Sequence, residues 1–142
     1  MGYDMYLKRD CGNEADNYFR ANIAGMHRFL VPAMRRAGMI IECDYEGDWP
    51  PVPEEKRDDP TYDHDASEVY LAFVGQQVEA RGIPLFKFSS NDGWWVRADE
   101  CETAIAIYKE NGEPRPGEYN DFWDDWIAFI NLASIFDGFR VW

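Results

Sequence analysis

The chain begins with alternating apolar and polar positions, a pattern typical of a β-strand. In GYDMYLKR, the apolar residues Tyr3, Met5 and Leu7 recur at every second position. This period of two places one set of side chains on a buried face of a sheet. The sequence therefore predicts an N-terminal strand, and CGNEAD after it has the composition of a turn.

The spacing of apolar residues becomes helical after this turn. Between about residue 14 and residue 37, apolar side chains recur three or four positions apart, at Phe19, Ile23, Met26, Leu30, Ala33 and Ala37. Such spacing predicts one amphipathic helix from about Glu14 to Ala37. Pro32 lies inside it. Because a proline ring displaces a backbone hydrogen bond, we expect Pro32 to kink or split the helix.

The second half of the chain predicts three more helices and three strands. Helical spacing covers residues 66–81, 99–111 and 118–136, and the third of these helices is apolar on a broad face. Residues 83–88 and 94–97 flank the turn SSNDG, which predicts a hairpin. The final GFRVW predicts a short strand beside the N-terminal one. The fold class is therefore α+β, with about four helices and a small, mainly antiparallel sheet that includes the N-terminal and C-terminal strands.

Length and composition indicate one folded domain over residues 1–142. The chain is 46% hydrophobic and 16% aromatic, which is too apolar for a disordered polymer. It has no apolar run of the roughly 20 residues that span a bilayer. No apolar segment follows a basic stretch at the N-terminus, so no signal peptide is predicted. We therefore expect a soluble, cytoplasmic protein.

The negative charge is concentrated in one segment. The net charge is −13, and residues 42–65 hold ten acidic residues, two basic residues and four prolines. This composition predicts a long acidic, proline-containing loop at 42–65. An acidic chain repels nucleic-acid phosphates, so direct binding to DNA or RNA is disfavoured. Opposite charge instead favours a protein partner with a basic surface.

Two adjacent tryptophans add a second candidate contact. Trp94 and Trp95 follow a turn, and in a strand their rings point to opposite faces. We expect one ring in the core and the other exposed or covered by a neighbouring segment. An exposed tryptophan is a common anchor for a protein partner. The predicted partner-binding residues are Asp44, Glu46, Asp48, Trp49, Asp58, Asp59, Tyr62, Asp63, His64, Trp94 and Trp95.

No catalytic, cofactor-binding or metal-binding residue is assigned from the sequence. Known nucleophile, phosphate-binding and zinc motifs are missing, and Cys11, Cys43 and Cys101 are widely separated and form no CxxC or Cys/His cluster in the sequence. Asp63, His64, Asp65 and Glu68 include groups that bind divalent cations. However, acids at a helix start are already explained by capping and by the helix dipole. His27, beside the apolar stripe, is interpreted as a partly buried structural residue.

Three functions are compatible with this sequence. The first is a non-enzymatic interaction protein that binds, and inhibits or redirects, a host or cellular protein. The second is a DNA mimic that blocks a nucleic-acid-binding protein; it requires a continuous carboxylate face that Arg28, Arg35 and Arg36 do not interrupt. The third is a small metal-assisted hydrolase that uses the carboxylates near His64. The missing catalytic motifs and the acidic segment favour the first.

Three short segments resemble a group of small uncharacterised proteins of actinobacteria and their bacteriophages. The segments are MGYDMY at the start, NYFRANIAGM after the first turn and SSNDGWWV in the second half. The resemblance implies a small intracellular domain with an accessory role in a bacterium or a phage. It implies no activity and no catalytic residue.

Overall fold

The computed structural model describes residues 2–42, 81–91 and 93–142. The predicted acidic loop, apart from Glu42, and the predicted helix of residues 66–81, apart from Arg81, lie outside these residues. The described part contains six strands. They are β1 (Gly2–Leu7), β2 (Tyr18–Asn22), β3 (Ile40–Ile41), β4 (Ile83–Pro84), β5 (Trp94–Val96) and β6 (Phe139–Val141).

Four of these strands form one antiparallel sheet in the order β2-β1-β6-β5. Met5 lies opposite Phe19 on one side and Val141 on the other, so the N-terminal and C-terminal strands are adjacent as predicted. The alternation in β1 has the predicted effect, because Tyr3 and Met5 are buried in the core. The two short strands β3 and β4 pair separately, in parallel.

Three α-helices lie in the described residues, compared with about four predicted for the whole chain. They are α1 (Val31–Arg36), α2 (Ala98–Glu110) and α3 (Asn120–Ala133). A π-helical segment, Gly25–Leu30, leads directly into α1. The fold is thus a mixed α+β domain in its described part, with a mainly antiparallel sheet.

The prediction of one helix from Glu14 to Ala37 is wrong for its first half. Residues 14–17 form a 3₁₀ turn, and Tyr18–Asn22 form β2, which pairs with β1 in a hairpin. Within β2, Phe19 and Ala21 face the core while Tyr18 and Arg20 face away, which is a strand period. Ile23, which the helical stripe would bury, is 47% exposed. The apolar spacing of this segment fits both periods, and pairing with β1 decides between them.

Pro32 stands at the junction between the π-helical segment and α1. In a regular α-helix its ring would meet the carbonyl of Arg28, four residues earlier. The helix before Pro32 is instead a wider π-helix, in which the Val31 N–H donates to the carbonyl of Met26, five residues earlier. The proline therefore marks a change of helix type.

The predicted hairpin of residues 83–88 with 94–97 is also wrong. Only Ile83–Pro84 is extended, and Leu85–Phe88 forms a 3₁₀ turn. Three successive side chains of that turn, Phe86, Lys87 and Phe88, are all buried, which a strand with one solvent face does not allow. The strand β5 pairs with β6 instead.

The core lies between the sheet and helices α2 and α3. Trp126 of α3 contacts the rings of Phe19 and Phe139, with centroids 5.1 and 5.9 Å away. Trp123 Nε1 donates to the Tyr108 hydroxyl of α2 over 3.1 Å. Each large apolar side chain buried in this way contributes about 1.5–3 kcal/mol. The fully buried α3 tryptophans thus join the sheet to both helices.

Candidate functional site

A groove with a volume of about 620 Å³ lies at the end of β2. It is formed by the last residues of β2, the π-helical segment and the start of α3. We call it the arginine–aromatic groove. The side chains that give it its chemistry are Arg20, Asn22, Arg28, Phe29, Tyr119 and Phe122.

The aromatic wall of the groove is anchored to the core. The Phe29 ring meets Tyr119 edge-on, with centroids 5.6 Å apart, and lies 5.8 Å from Phe122. Phe122 in turn lies 5.5 Å from Phe19 of β2. Such ring pairs are stabilising beyond the area that they bury. The wall is therefore an apolar surface that packs on the core and ends at an exposed ring, Tyr119.

Tyr119 has an unusual backbone conformation for a non-glycine residue. It precedes α3 with φ 52° and ψ 42°, in the left-handed region, and its exposed fraction is 73%. A side chain in this region costs about 1–2 kcal/mol relative to an ordinary conformation. The chain thus holds a large aromatic side chain at the surface in a conformation that glycine would adopt without this cost.

The two arginines of the groove have different surroundings. Arg20 forms an ion pair with Asp4, Nη1 to Oδ1 2.8 Å, and the Tyr18 hydroxyl donates to the same oxygen over 2.5 Å. Partial burial and the bond to Asp4 raise the pKa of Tyr18. Arg28 is exposed and has no hydrogen bond or ion pair within the described residues. It is therefore the cation that is available to a ligand.

The π-helical segment places Arg28 and Phe29 beside the end of β2. Asn22, the last residue of β2, accepts a hydrogen bond from the Gly25 N–H over 2.6 Å. A Cβ at residue 25 would lie 3.1 Å from the same amide oxygen, so glycine allows the close turn. π-helical turns are rare in proteins, and those that occur are often found at functional sites. The turn between strand and helix thus forms one wall of the groove.

A second cavity, of about 290 Å³, continues along β2 toward its start. Arg20 lines both cavities, and the second is also lined by Tyr18, Asp125, Phe129 and Leu132. Its far wall is α3. The two cavities thus adjoin at Arg20 and lie along β2 and α3, and we call them together the β2–α3 trough.

A buried charged cluster lies at the N-terminus of α2, away from the groove. Lys87 Nζ is 2.6 Å from Glu100 Oε1, which also accepts the Arg97 N–H over 2.9 Å. Burial lowers the pKa of Lys87 and raises that of the neighbouring Cys101 well above 9.0. Because Lys87 and Cys101 are completely enclosed, no substrate reaches them in this conformation. We assign the cluster a role in stability.

The structure separates the two tryptophans that the sequence singles out. Trp94 is completely buried, and its Nε1 donates to Ser90 Oγ over 3.0 Å, so it is not available to a partner. This corrects its place among the predicted contact residues. Trp95 is half-buried; its Nε1 donates to the Asp137 carbonyl, and Lys8 Nζ lies 4.8 Å from its ring. The Trp95 ring is thus partly accessible and is held in place by Asp137 and Lys8.

The remaining predicted contact residues lie outside the described part of the chain. They are Asp44, Glu46, Asp48, Trp49, Asp58, Asp59, Tyr62, Asp63 and His64. Glu42, which is described, forms an ion pair with Arg35. Residues 2–42, 81–91 and 93–142 contain no group of three His, Cys, Asp or Glu side chains that could bind a metal ion. His27 is exposed, with its Nε2 hydrogen-bonded to the Tyr3 hydroxyl over 2.6 Å.

Sequence reasoning missed the residues of the groove. The sequence predicts Arg28 only as a cation that would interrupt a carboxylate face, and it predicts no contact role for Phe29 or Tyr119. They come from segments about 90 positions apart, and no motif links them. The one local signal is the Pro-Gly pair before Tyr119, which marks an irregular helix start.

Comparison with protein-family models, with curated proteins and with solved structures finds no match for this chain. The resemblance to actinobacterial and phage proteins therefore stays a prediction. In the described part of the chain, the helices are too short or too polar to cross a bilayer.

Proposed function

We propose that this chain is a small non-enzymatic binding protein of the cytoplasm that recognises a protein partner. The observation that carries the proposal is the exposed Arg28, without an ion-pair partner among the described residues, beside the exposed ring of Tyr119. Arginine and tyrosine are enriched among the residues that contribute most to protein interfaces. Arg28 belongs to the π-helical segment beside the aromatic wall, and the Tyr119 ring packs edge-on against Phe29 of that wall.

The backbone of Tyr119 supports the same proposal. Unusual conformations of non-glycine residues are frequent at ligand-binding sites, where the surrounding structure maintains them. Nothing in the packing of the core requires this ring, because most of it faces solvent. Its presence at a costly position is explained if the ring contacts a partner.

The acidic residues of segment 42–65 belong to the proposal as a second contact for a basic partner. Most of these residues lie outside the described part of the chain. The DNA-mimic alternative gains no support from the described surface. There, the carboxylates of Asp4, Glu42 and Asp124 each pair with an arginine, which neutralises part of the charge that a phosphate mimic needs.

The proposal is tested by affinity capture from a bacterial lysate with matched charge-reversal variants. Arg28→Glu reverses the free cation of the groove. Arg36→Glu makes the same change at another exposed arginine of the same helical region, outside the groove. We expect the wild type and Arg36→Glu to capture the same protein, and Arg28→Glu to bind it about tenfold more weakly, or about 1.4 kcal/mol.

Two results would contradict the proposal. One is the recovery of no specific protein by the wild type at low or moderate salt. The other is equal affinity of Arg28→Glu and Arg36→Glu for the captured protein, with both variants folded as judged by circular dichroism. The second result would leave a binding protein but would move the contact away from the groove.

A further inference from the structure

The outer edge of β2 has the properties of a sheet edge to which a further strand can add. β2 is the terminal strand of the four-stranded sheet and pairs on one side with β1. Beyond that pairing, no backbone group of residues 18–21 forms a hydrogen bond within the described residues. An unpaired strand edge is a ready template for another chain.

The β2–α3 trough gives such a chain a defined place. It is lined by residues of β2 and by no residue of β1, which places it on the side of β2 away from β1, and Phe122, Asp125 and Phe129 of α3 form its far wall. β2 has five residues, which corresponds to about 17 Å of extended chain at about 3.4 Å per residue. A groove between a strand edge and a helix is a recurring arrangement for peptide recognition by strand addition.

We infer that an extended segment of the partner protein adds to β2 as a fifth strand and fills the β2–α3 trough. This inference rests on the proposed function and specifies how the partner binds. Backbone hydrogen bonds to β2 supply the affinity that does not depend on sequence. Side chains that point toward α3 enter the two cavities and supply the specificity.

The charges of the trough define the chemistry of this segment. At one end Arg28 is free, and Glu118, which also lines the groove, makes no ion pair with it within the described residues. At the other end Asp16 and Asp125 line the second cavity, and neither has an ion pair there. The matching segment has an acidic side chain beside Arg28 and a basic one beside Asp125. Between them an apolar side chain packs on Phe29 and Phe122.

A second copy of this chain fits the edge less well. Antiparallel pairing of two β2 strands about their centre places Arg20 opposite Arg20 on the same face. Like charges directly opposite each other in a sheet are destabilising. The trough therefore favours a different protein with opposite charges.

Hydrogen–deuterium exchange on the complex with the captured partner tests this mode of binding. We expect amide exchange of residues 18–22 to slow about tenfold or more in the complex, together with one short segment of the partner. That segment, synthesised as a peptide, is expected to compete with the partner, whereas a peptide of scrambled order is not. Asp125→Arg is expected to weaken binding about tenfold, and Asp121→Arg, which lies outside the trough, to leave it unchanged.

The possible failures are distinguishable. If a partner binds through Arg28 but residues 18–22 exchange at the same rate in the complex, strand addition is wrong and the proposed function stands. If the free chain sediments as a dimer in which residues 18–22 are already protected, the occupant is a second copy and the inference is overturned. If the wild type captures no protein, the proposed function fails, and this inference fails with it.

Discussion

Lys87 and Glu100 form an ion pair that is closed to solvent, with Nζ 2.6 Å from Oε1 and side-chain exposures of 0% and 2%. The two partners are not equally supported. Glu100 also accepts the Arg97 N–H at the start of α2, and Arg97 Nε lies 3.8 Å from the same oxygen. Lys87 has Glu100 as its one acceptor in the described structure. The carboxylate therefore holds together the 3₁₀ turn of residues 85–88 and the first turn of α2.

Removing the carboxylate is expected to destabilise the fold more than removing the amine. Glu100→Ala leaves a buried ammonium without its counter-charge, a loss of about 3–5 kcal/mol. Lys87→Met keeps the bonds of Glu100 to Arg97 and replaces the amine with an apolar side chain of similar length, so we expect about 1–3 kcal/mol. Urea unfolding measures both, with Lys109→Met as the exposed-lysine control, expected within about 0.5 kcal/mol of the wild type. Equal losses for the two buried variants would contradict this.

The thiol of Cys101 is expected to make stability fall at alkaline pH. Burial raises the pKa of Cys101 well above 9.0, so the folded chain keeps a proton that the unfolded chain loses near pH 9. Below that pH the contribution of the thiol to stability is fully present. As the pH rises from about 9 toward the pKa of the folded state, this contribution is lost at about 1.4 kcal/mol per pH unit.

The variant Cys101→Ala isolates this effect, because Lys87 and the tyrosines titrate in both proteins. We expect the free energy of unfolding of the variant to gain about 1 kcal/mol relative to the wild type between about pH 8 and about pH 10. Denaturant titrations at a series of pH values measure the difference. A difference that does not change with pH would show that the thiol is accessible in the folded chain.

Tyr119 is expected to contribute more to partner binding than to the stability of the fold. Tyr119→Gly releases the left-handed conformation at φ 52°, which favours the folded state, but it also removes the edge-on ring pair with Phe29, which opposes it. We therefore expect the free energy of unfolding to stay within about 1 kcal/mol of the wild type. The same variant removes the exposed ring from Phe29, so partner affinity is expected to fall about tenfold or more. Thermal unfolding and a binding titration measure the two effects.

Glu113→Gly is the matched control for Tyr119→Gly. Glu113 has the same φ of 52° and is exposed in the connector that follows α2, outside the groove. We expect Glu113→Gly to stabilise the fold by up to about 1 kcal/mol, because it releases the same conformation without loss of a ring pair, and to leave the affinity unchanged. If both variants keep the affinity of the wild type, the ring has no role in binding and the proposal loses one of its two anchors.

The sequence predicts the elements whose local pattern and tertiary role agree. β1 alternates over its whole length, and the strand that contains Phe139 completes the sheet beside it. α2 and α3 have one clear apolar stripe each, and both are found within a few residues of their predicted ends. Here the local period and the burial require the same structure, so the pattern is sufficient.

The errors lie where the local pattern permits two structures. Phe19 belongs to a helical stripe with Ile23 and to a strand face with Ala21, and only the partner strand decides between them. The groove follows from this decision, because Arg20 and Asn22 reach it from a strand and Arg28 from the helix after it. Tyr119 joins them only through the packing of α3 against β2. Such a site depends on contacts between distant segments, which a periodic pattern does not encode.

The two buried tryptophans of α3 are expected to respond differently to the same substitution. Both are completely buried, but Trp123 Nε1 donates to the Tyr108 hydroxyl, whereas Trp126 Nε1 has no acceptor within the described residues. Trp123→Phe removes apolar volume and also leaves the buried Tyr108 hydroxyl without its donor. Trp126→Phe removes similar volume but also a buried N–H group that has lost its water without gaining a partner, which offsets part of the cost.

We therefore expect Trp123→Phe to destabilise the chain by about 1–2 kcal/mol more than Trp126→Phe in urea unfolding. The double variant Trp123→Phe with Tyr108→Phe is expected to recover part of this difference, because it removes both members of the hydrogen bond. Equal losses for the two single variants would show that the Trp126 N–H is hydrogen-bonded in solution.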